Sequence, residues 1–170
     1  MKTFLKFSGL ISLVAAVVGF VLMLATQAVV ITSGNTTYFF TGPDVMFGCT
    51  KSALGGLLAA TYKAAPLALI AFILVIVALL VLLAGFVLPL AKIKVLERFA
   101  GVLNLCALVC LVLAGIFMFC VVPNFFGVNE MNVPDGSGIG AGWVIGGIIF
   151  IAAGAVAICP AVADFLGKKK

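Results

Sequence analysis

Four long stretches of this chain contain no charged side chain, and every charge falls in the shorter segments between them or at the ends. The apolar runs cover residues 7–31, 64–90, 99–122 and 139–163. A hydrocarbon core of about 30 Å is crossed by about 20 helical residues, so each run is long enough to span a bilayer with some tilt. Within the second, Ile70 through Leu83 has no polar side-chain atom. Pro66 falls in its first turn, where a missing amide hydrogen costs little, and Pro89 closes it. Pro123 ends the third run, and the fourth is followed by Gly167 and three lysines. Lys2 and Lys6 precede a first run longer than the apolar core of a cleaved leader, which reads as a signal anchor. The pattern predicts an all-α membrane protein: one four-span domain with both ends on the same side.

The connections differ in character. Residues 91–98 form a tight basic turn with Lys92, Lys94, Glu97 and Arg98. The connections on the other side cover residues 32–63 and 124–138. In the longer one, Thr36 to Thr41 is β-branched and aromatic and lies between turn-forming groups, Ser33-Gly34-Asn35 and Gly42-Pro43-Asp44. That predicts a short strand and a small extracellular sheet. Ser52 to Tyr62 is small and apolar, and reads either as an interfacial amphipathic helix or as an early start to the second span.

Basic residues near span ends are retained in the cytoplasm, so the lysines and arginine set the orientation. Lys2, Lys6, Lys92, Lys94, Arg98, Lys168, Lys169 and Lys170 share one side, leaving only Lys51 and Lys63 on the other. Both termini are therefore expected in the cytoplasm, and the protein in the plasma membrane. The composition agrees, with 65% hydrophobic and 9% charged residues against about 25% charged in soluble domains. The net charge of +5 is read as topology, because no basic patch with interleaved aromatics exists to hold nucleic acid.

Helices in lipid attract one another mainly by close packing, which places small residues at their interfaces. Such residues recur here every seven positions: Ser12 and Gly19; Ala64, Ala71, Ala78 and Gly85; Ala100, Ala107 and Ala114; Gly140, Gly147, Gly154 and Ala161. A seven-residue seam predicts a left-handed four-helix bundle with crossings near +20°. Gly138, Gly142 and Gly146 form a second seam, read first as internal packing and otherwise as a face for another protomer. A faint repeat relates Lys6-Phe7-Ser8-Gly9-Leu10-Ile11-Ser12-Leu13 to Arg98-Phe99-Ala100-Gly101-Val102-Leu103-Asn104-Leu105.

Little chemistry is on offer. Histidine is absent, which removes the commonest general base and metal ligand. No nucleophile and base pair stands out, so no enzyme, cofactor or metal is expected. No acid lies at mid-membrane, against an ion-coupled transporter or proton pump. Asn104 is the one strongly polar side chain well inside a span, expected to hydrogen-bond between helices, with Ser12 as a partner at the equivalent repeat position. Glu97 and Asp164 read as interfacial ion pairs. Cys49 and Cys120 fall on the same outer side, where a disulfide would clamp loop to bundle if their Cα atoms lie within about 7 Å. Cys106 and Cys110 read as small packing hydrophobes, and Cys159 as packed or palmitoylated. Asn35-Thr36-Thr37 fits the glycosylation sequon. Tyr38, Tyr62 and Trp143 read as interfacial anchors.

Inside termini, a long strand-bearing first outer loop and a short second one resemble the claudin-like tetraspan class across the whole chain in topology. The first loop has Cys49 alone and no tryptophan, so the family's tryptophan and paired-cysteine signature is missing and its barrier function is not implied. In texture the chain is also similar to small four-span proteins of bacteria. The expected function is that of a structural or accessory membrane protein whose outer loop and bundle faces contact another membrane protein or a second copy. The alternative is a small transporter or channel subunit, its pathway at an oligomer interface and lined by backbone and by Asn104, Ser12 or Thr26.

Overall fold

The aliphatic runs fold as helices, and the connections on one side fold into a strand-bearing cap. The computed structural model describes residues 2–33, 36–53, 58–90 and 100–167. In chain order the elements are α1 (Lys2–Ala25), β1 (Gln27–Ser33), β2 (Thr36–Thr41), α2 (Gly42–Phe47), β3 (Cys49–Ala53), β4 (Leu58–Tyr62), α3 (Pro66–Leu90), α4 (Ala100–Phe119), α5 (Val121–Val128), β5 (Ser137–Ile139) and α6 (Ala141–Gly167). Stretches of α1, α3, α4 and α6 are long and apolar enough to cross a bilayer, which makes this a multi-pass membrane protein. The basic turn at residues 91–98, the terminal lysines and Asn35 lie outside the described residues, as do the side chains of Cys159 and Asp164.

Burial along the spans repeats at intervals of three and four. Ala68, Ala71, Val75, Ala78 and Leu82 are buried on α3, and Asn104, Ala107, Leu111, Ala114 and Met118 on α4. Helix α6 packs against both α1 and α4, and α4 against α3, while α1 and α3 meet more loosely. Backbones approach closely in the first three pairs. A Cβ on Gly19 of α1 would lie 2.7 Å from the Phe150 ring of α6. One on Gly115 of α4 would lie 2.8 Å from the Gly147 carbonyl of α6, and one on Gly154 would lie 3.2 Å from the Leu108 carbonyl of α4. On α3, Gly85 leaves room for the Asn104 amide, whose Oδ1 would sit 3.3 Å from a Cβ there. The opposite faces present Val14, Val18 and Val21, Ile73, Val77 and Val87, and Leu105, Val109 and Leu113 to the surroundings. Aliphatic side chains suit hydrocarbon as solvent.

The cap contains a three-stranded antiparallel sheet of order β2-β1-β5 and a separate β3-β4 hairpin. Strand β5 comes from the second connection and pairs Ile139 with Val29 and Ser137 with Ile31, so the two connections share one sheet.

Several expected boundaries move. The first apolar run divides at Ala25, because Val29-Val30-Ile31-Thr32 is β-branched and finds a partner in β2, which outweighs helix continuation. The strand expected at Thr36 to Thr41 is β2, and the turn after it is the short helix α2. Of Ser52 to Tyr62, expected as an interfacial helix or an extension of the second span, the described residues are strand: Ser52 and Ala53 lie in β3 and Leu58 to Tyr62 in β4, where Cys49 pairs with Tyr62 and Ala53 with Leu58. The third helix does not stop at Pro123: α4 ends at Phe119 and α5 carries the proline in its first turn. Proline has no amide hydrogen for the Phe119 carbonyl and its ring crowds that group, which breaks the helix there.

Two glycines separate packing from propensity. Gly115→Ala should destabilise the protein by about 1–3 kcal/mol, because backbone of α6 blocks the new methyl. Gly9→Ala meets nothing within 4 Å and should raise stability by up to about 1 kcal/mol through helix propensity. Thermal unfolding of the two variants in mild detergent checks the pair, and equal shifts would contradict this packing.

Candidate functional site

The region best equipped to meet a partner is the cap, and its rigidity starts with orphan groups at helix ends. The last carbonyls of a helix lack intrahelical donors. At the end of α1, the Trp143 indole N–H donates to the Met23 carbonyl at 3.0 Å, and the Thr26 hydroxyl donates to the Leu22 carbonyl at 2.6 Å. Trp143 is fully buried, which corrects its reading as an interfacial anchor: its polar edge is used inside the protein. Glycines allow this closeness. A Cβ on Gly42 would collide with the Met23 carbonyl, one on Gly140 with the Gln27 carbonyl, and one on Gly142 with Thr26.

Helix α2 has a complete capping box. The Thr41 amide donates to Asp44 at 3.0 Å, and the Asp44 amide donates to the Thr41 hydroxyl at 3.4 Å. Lys51 of β3 donates to the same Asp44 oxygen at 2.8 Å and lies 5.7 Å from the centre of the Phe40 ring. Burial pushes the Asp44 carboxyl up, but the Lys51 hydrogen bond and then the Thr41 amide and hydroxyl outweigh it, and the carboxyl ends below its ordinary value. Lys51 is held above its ordinary value chiefly by its hydrogen bond to Asp44. Cys49 is raised by burial and then by the Asp44 charge. A thiol so placed is a poor nucleophile.

Beneath the sheets Phe40 meets Tyr62 at 4.9 Å and Phe125 at 5.0 Å, and Phe125 meets Phe126 at 5.6 Å. Tyr62 therefore packs inward. Two asparagines of α5 and its end then fasten the start of α3. Asn124 Oδ1 accepts the Leu67 amide at 3.1 Å, and Asn129 Oδ1 accepts the Lys63 amide at 2.7 Å. The Asn129 amide nitrogen donates back to the Phe125 carbonyl at 2.8 Å. Sequence reasoning passed over both, since an isolated asparagine has no periodicity. The one available signal was an Asn directly after Pro123.

The cap leaves most of β2 uncovered. That strand lies at the edge of its sheet, with Thr36 to Phe39 exposed. Tyr38 is 49% exposed and Phe39 47%, on opposite faces of the strand. Phe47 of α2 and Val133 of the second connection are also exposed.

The intramembrane polar residues do not converge. The Ser12 hydroxyl donates to the Ala153 carbonyl of α6 at 2.7 Å, so the expected Ser12–Asn104 hydrogen bond is replaced by a bond to backbone. Asn104 is 8% exposed and lies against Gly85 on a different interface. Thr26, just past the end of α1, bonds back to the Leu22 carbonyl. Of the small residues singled out, Gly19, Ala71, Ala78, Ala107, Ala114, Gly146, Gly147 and Gly154 are buried, and Gly85 and Gly142 are half-buried. Gly142 and Gly146 pack against Thr26 and Met118 within the chain. Cys49 and Cys120 are free thiols, as are Cys106 and Cys110, so no bridge joins the first loop to the bundle. Cys120 is exposed where α4 gives way to α5, and Cys49 is half-buried at the start of β3. Among the described residues no cluster of histidine, cysteine, aspartate or glutamate could hold a metal ion. The chain matches no protein-family model and no curated protein sequence.

Two measurements test the cap. Trp143→Phe keeps one aromatic ring but removes the N–H and part of a buried side chain, leaving the Met23 carbonyl unpaired, and should cost at least about 1–3 kcal/mol in unfolding experiments. The Asp44 carboxyl, followed by carbon NMR, should titrate below its ordinary value, and Lys51→Met should move its midpoint up. By linkage, Asp44 stabilises the cap at pH above its unfolded value and loses that contribution as pH falls through the lowered folded value. Lys51 has the opposite sign: its contribution holds below its unfolded value and is lost as pH rises through the raised folded one.

Proposed function

We propose that this chain is a structural or accessory protein of the plasma membrane that acts by binding another membrane protein, or a second copy, through its cap and bundle faces. The observation that carries this reading is the exposed edge strand β2, with Tyr38 and Phe39 on it, mounted on a cap tied to all four spans. An uncharged, aromatic edge with unpaired backbone groups is a pairing surface that proteins usually cover or break with charge. Rigid aromatic side chains also lose little entropy on binding.

The reading places both termini in the cytoplasm and the cap outside, on the distribution of lysine and arginine. Buried positions at alternating steps of three and four favour a left-handed bundle. Four apolar helices with a strand-bearing first connection resemble the claudin-like tetraspan class in topology. Transport is the weaker reading, because Ser12 and Thr26 face α6 with their hydroxyls spent on backbone carbonyls, Asn104 faces α3, and the spans contain no ionisable acid or base among the described residues.

Cross-linking in native membranes followed by affinity purification tests the proposal. The wild-type chain should bring down a defined membrane protein or itself. The double variant Tyr38→Ser, Phe39→Ser should lose the complex, and Lys63→Ala, exposed elsewhere on the cap, should retain it. Recovery of the same complex from the double variant would overturn the assignment to β2.

A further inference from the structure

The ring of four spans has one interface unlike the others. Where α1 meets α6, α6 meets α4 and α4 meets α3, a glycine admits a ring, a carbonyl or an amide from the neighbouring helix: Gly19, Gly147, Gly154 and Gly85. The described residues that line the space between α1 and α3 are all large. Leu13, Val17 and Phe20 stand opposite Leu79, Leu80 and Leu83, and an open groove of about 380 Å³ lies between them. Small side chains are what draw membrane helices together, so this pair is held apart by its own composition.

The groove is closed at its cap end. Phe20 of α1 stacks on Phe72 of α3 with ring centres 5.8 Å apart, and Phe47 of α2 meets Phe72 edge-on at 5.9 Å. Away from this aromatic bridge, Val17, Leu80 and Leu83 are exposed, so the groove runs continuously into the surface that faces hydrocarbon.

Three occupants can be weighed against these walls. Water needs two to four polar partners, and almost all of the lining is apolar. A helix from another chain is a cylinder about 10 Å across with side chains, and docks where small residues admit it. None of the named lining residues is small. A single flexible hydrocarbon chain needs neither, and it restores the dispersion contacts that an unfilled cleft would forfeit.

We propose that the groove between α1 and α3 is a seat for one acyl chain of a bilayer phospholipid, inserted along the two helices and stopped at the Phe20–Phe72 stack. The seat makes the lipid part of the bundle: it fills the one seam that protein side chains leave open. The proposal rests on the spans lying in lipid and not on any partner of the cap, so the two readings can fail separately.

The test is whether a phospholipid stays with the protein after extraction. Purified in mild detergent, the wild-type chain should retain about one phospholipid by native mass spectrometry. Val17→Trp, which fills the groove, should lower that occupancy by about tenfold or more. Val109→Trp, on an exposed face of α4, should leave it unchanged. A second measurement does not depend on the filled variant folding. Tryptophan introduced by Leu80→Trp or by Leu113→Trp is quenched in bilayers of phospholipid brominated on its chains. After exchange into unbrominated detergent, the signal from position 80 should stay quenched while that from position 113 recovers. Equal recovery at both positions, or equal lipid retention in Val17→Trp and wild type, would overturn the proposal. So would cross-linking of two copies through Val17→Cys, which would assign the groove to a second chain.

Discussion

In hydrocarbon, helices gain little from hiding apolar surface, so the distance to which two backbones can approach decides which of them stay together. Three interfaces of this bundle solve that problem with a glycine or alanine placed against a ring, a carbonyl or an amide. The contacts Gly19–Phe150, Gly115–Gly147 and Gly85–Asn104 set the order of the helices around the ring. Asn104 adds register, because a Cβ at position 85 would press on its amide oxygen at 3.3 Å. The fourth interface lacks such a residue and stays open.

The cap depends on the same economy of space together with an electrostatic requirement. A spanning helix leaves unpaired carbonyls at one end and amides at the other, and near the edge of hydrocarbon these need partners from the protein. Trp143 serves the end of α1, Asn124 the start of α3, and Thr41 with Asp44 the start of α2. Each partner is supplied by an element distant in sequence or by a local box that Lys51 closes from β3. The cap thus behaves as a set of helix caps joined by two small sheets, which is why the edge strand β2 can be held out rigidly.

The sequence was most informative where a long-range physical bias acts on every residue. Solvent selection by lipid shows in composition, so the four spans were legible, and the strand at Thr36 to Thr41 was legible from β-branched residues between turns. Misreadings fell where a local preference met a partner out of sight. Val29 to Ile31 is apolar enough to continue a span, yet β2 and β5 offer it a sheet. Ser52 to Tyr62 has a bland composition that suits helix or strand, and hairpin pairing decided it. Trp143 looked like an anchor because tryptophan prefers interfaces, but the free carbonyl of Met23 was the nearer partner.

By itself, then, the sequence determined that the chain lives in a membrane and how many apolar helices it sends there, because hydrocarbon imposes that demand on each segment independently. Only the tertiary structure decided which small residue faces which neighbour, that Ser12 bonds α6 and not Asn104, that the first and third connections between the spans share one sheet, and that α1 and α3 are left parted. Those outcomes depend on distances between residues far apart in the chain, and spacing along a single helix carries no record of what stands opposite.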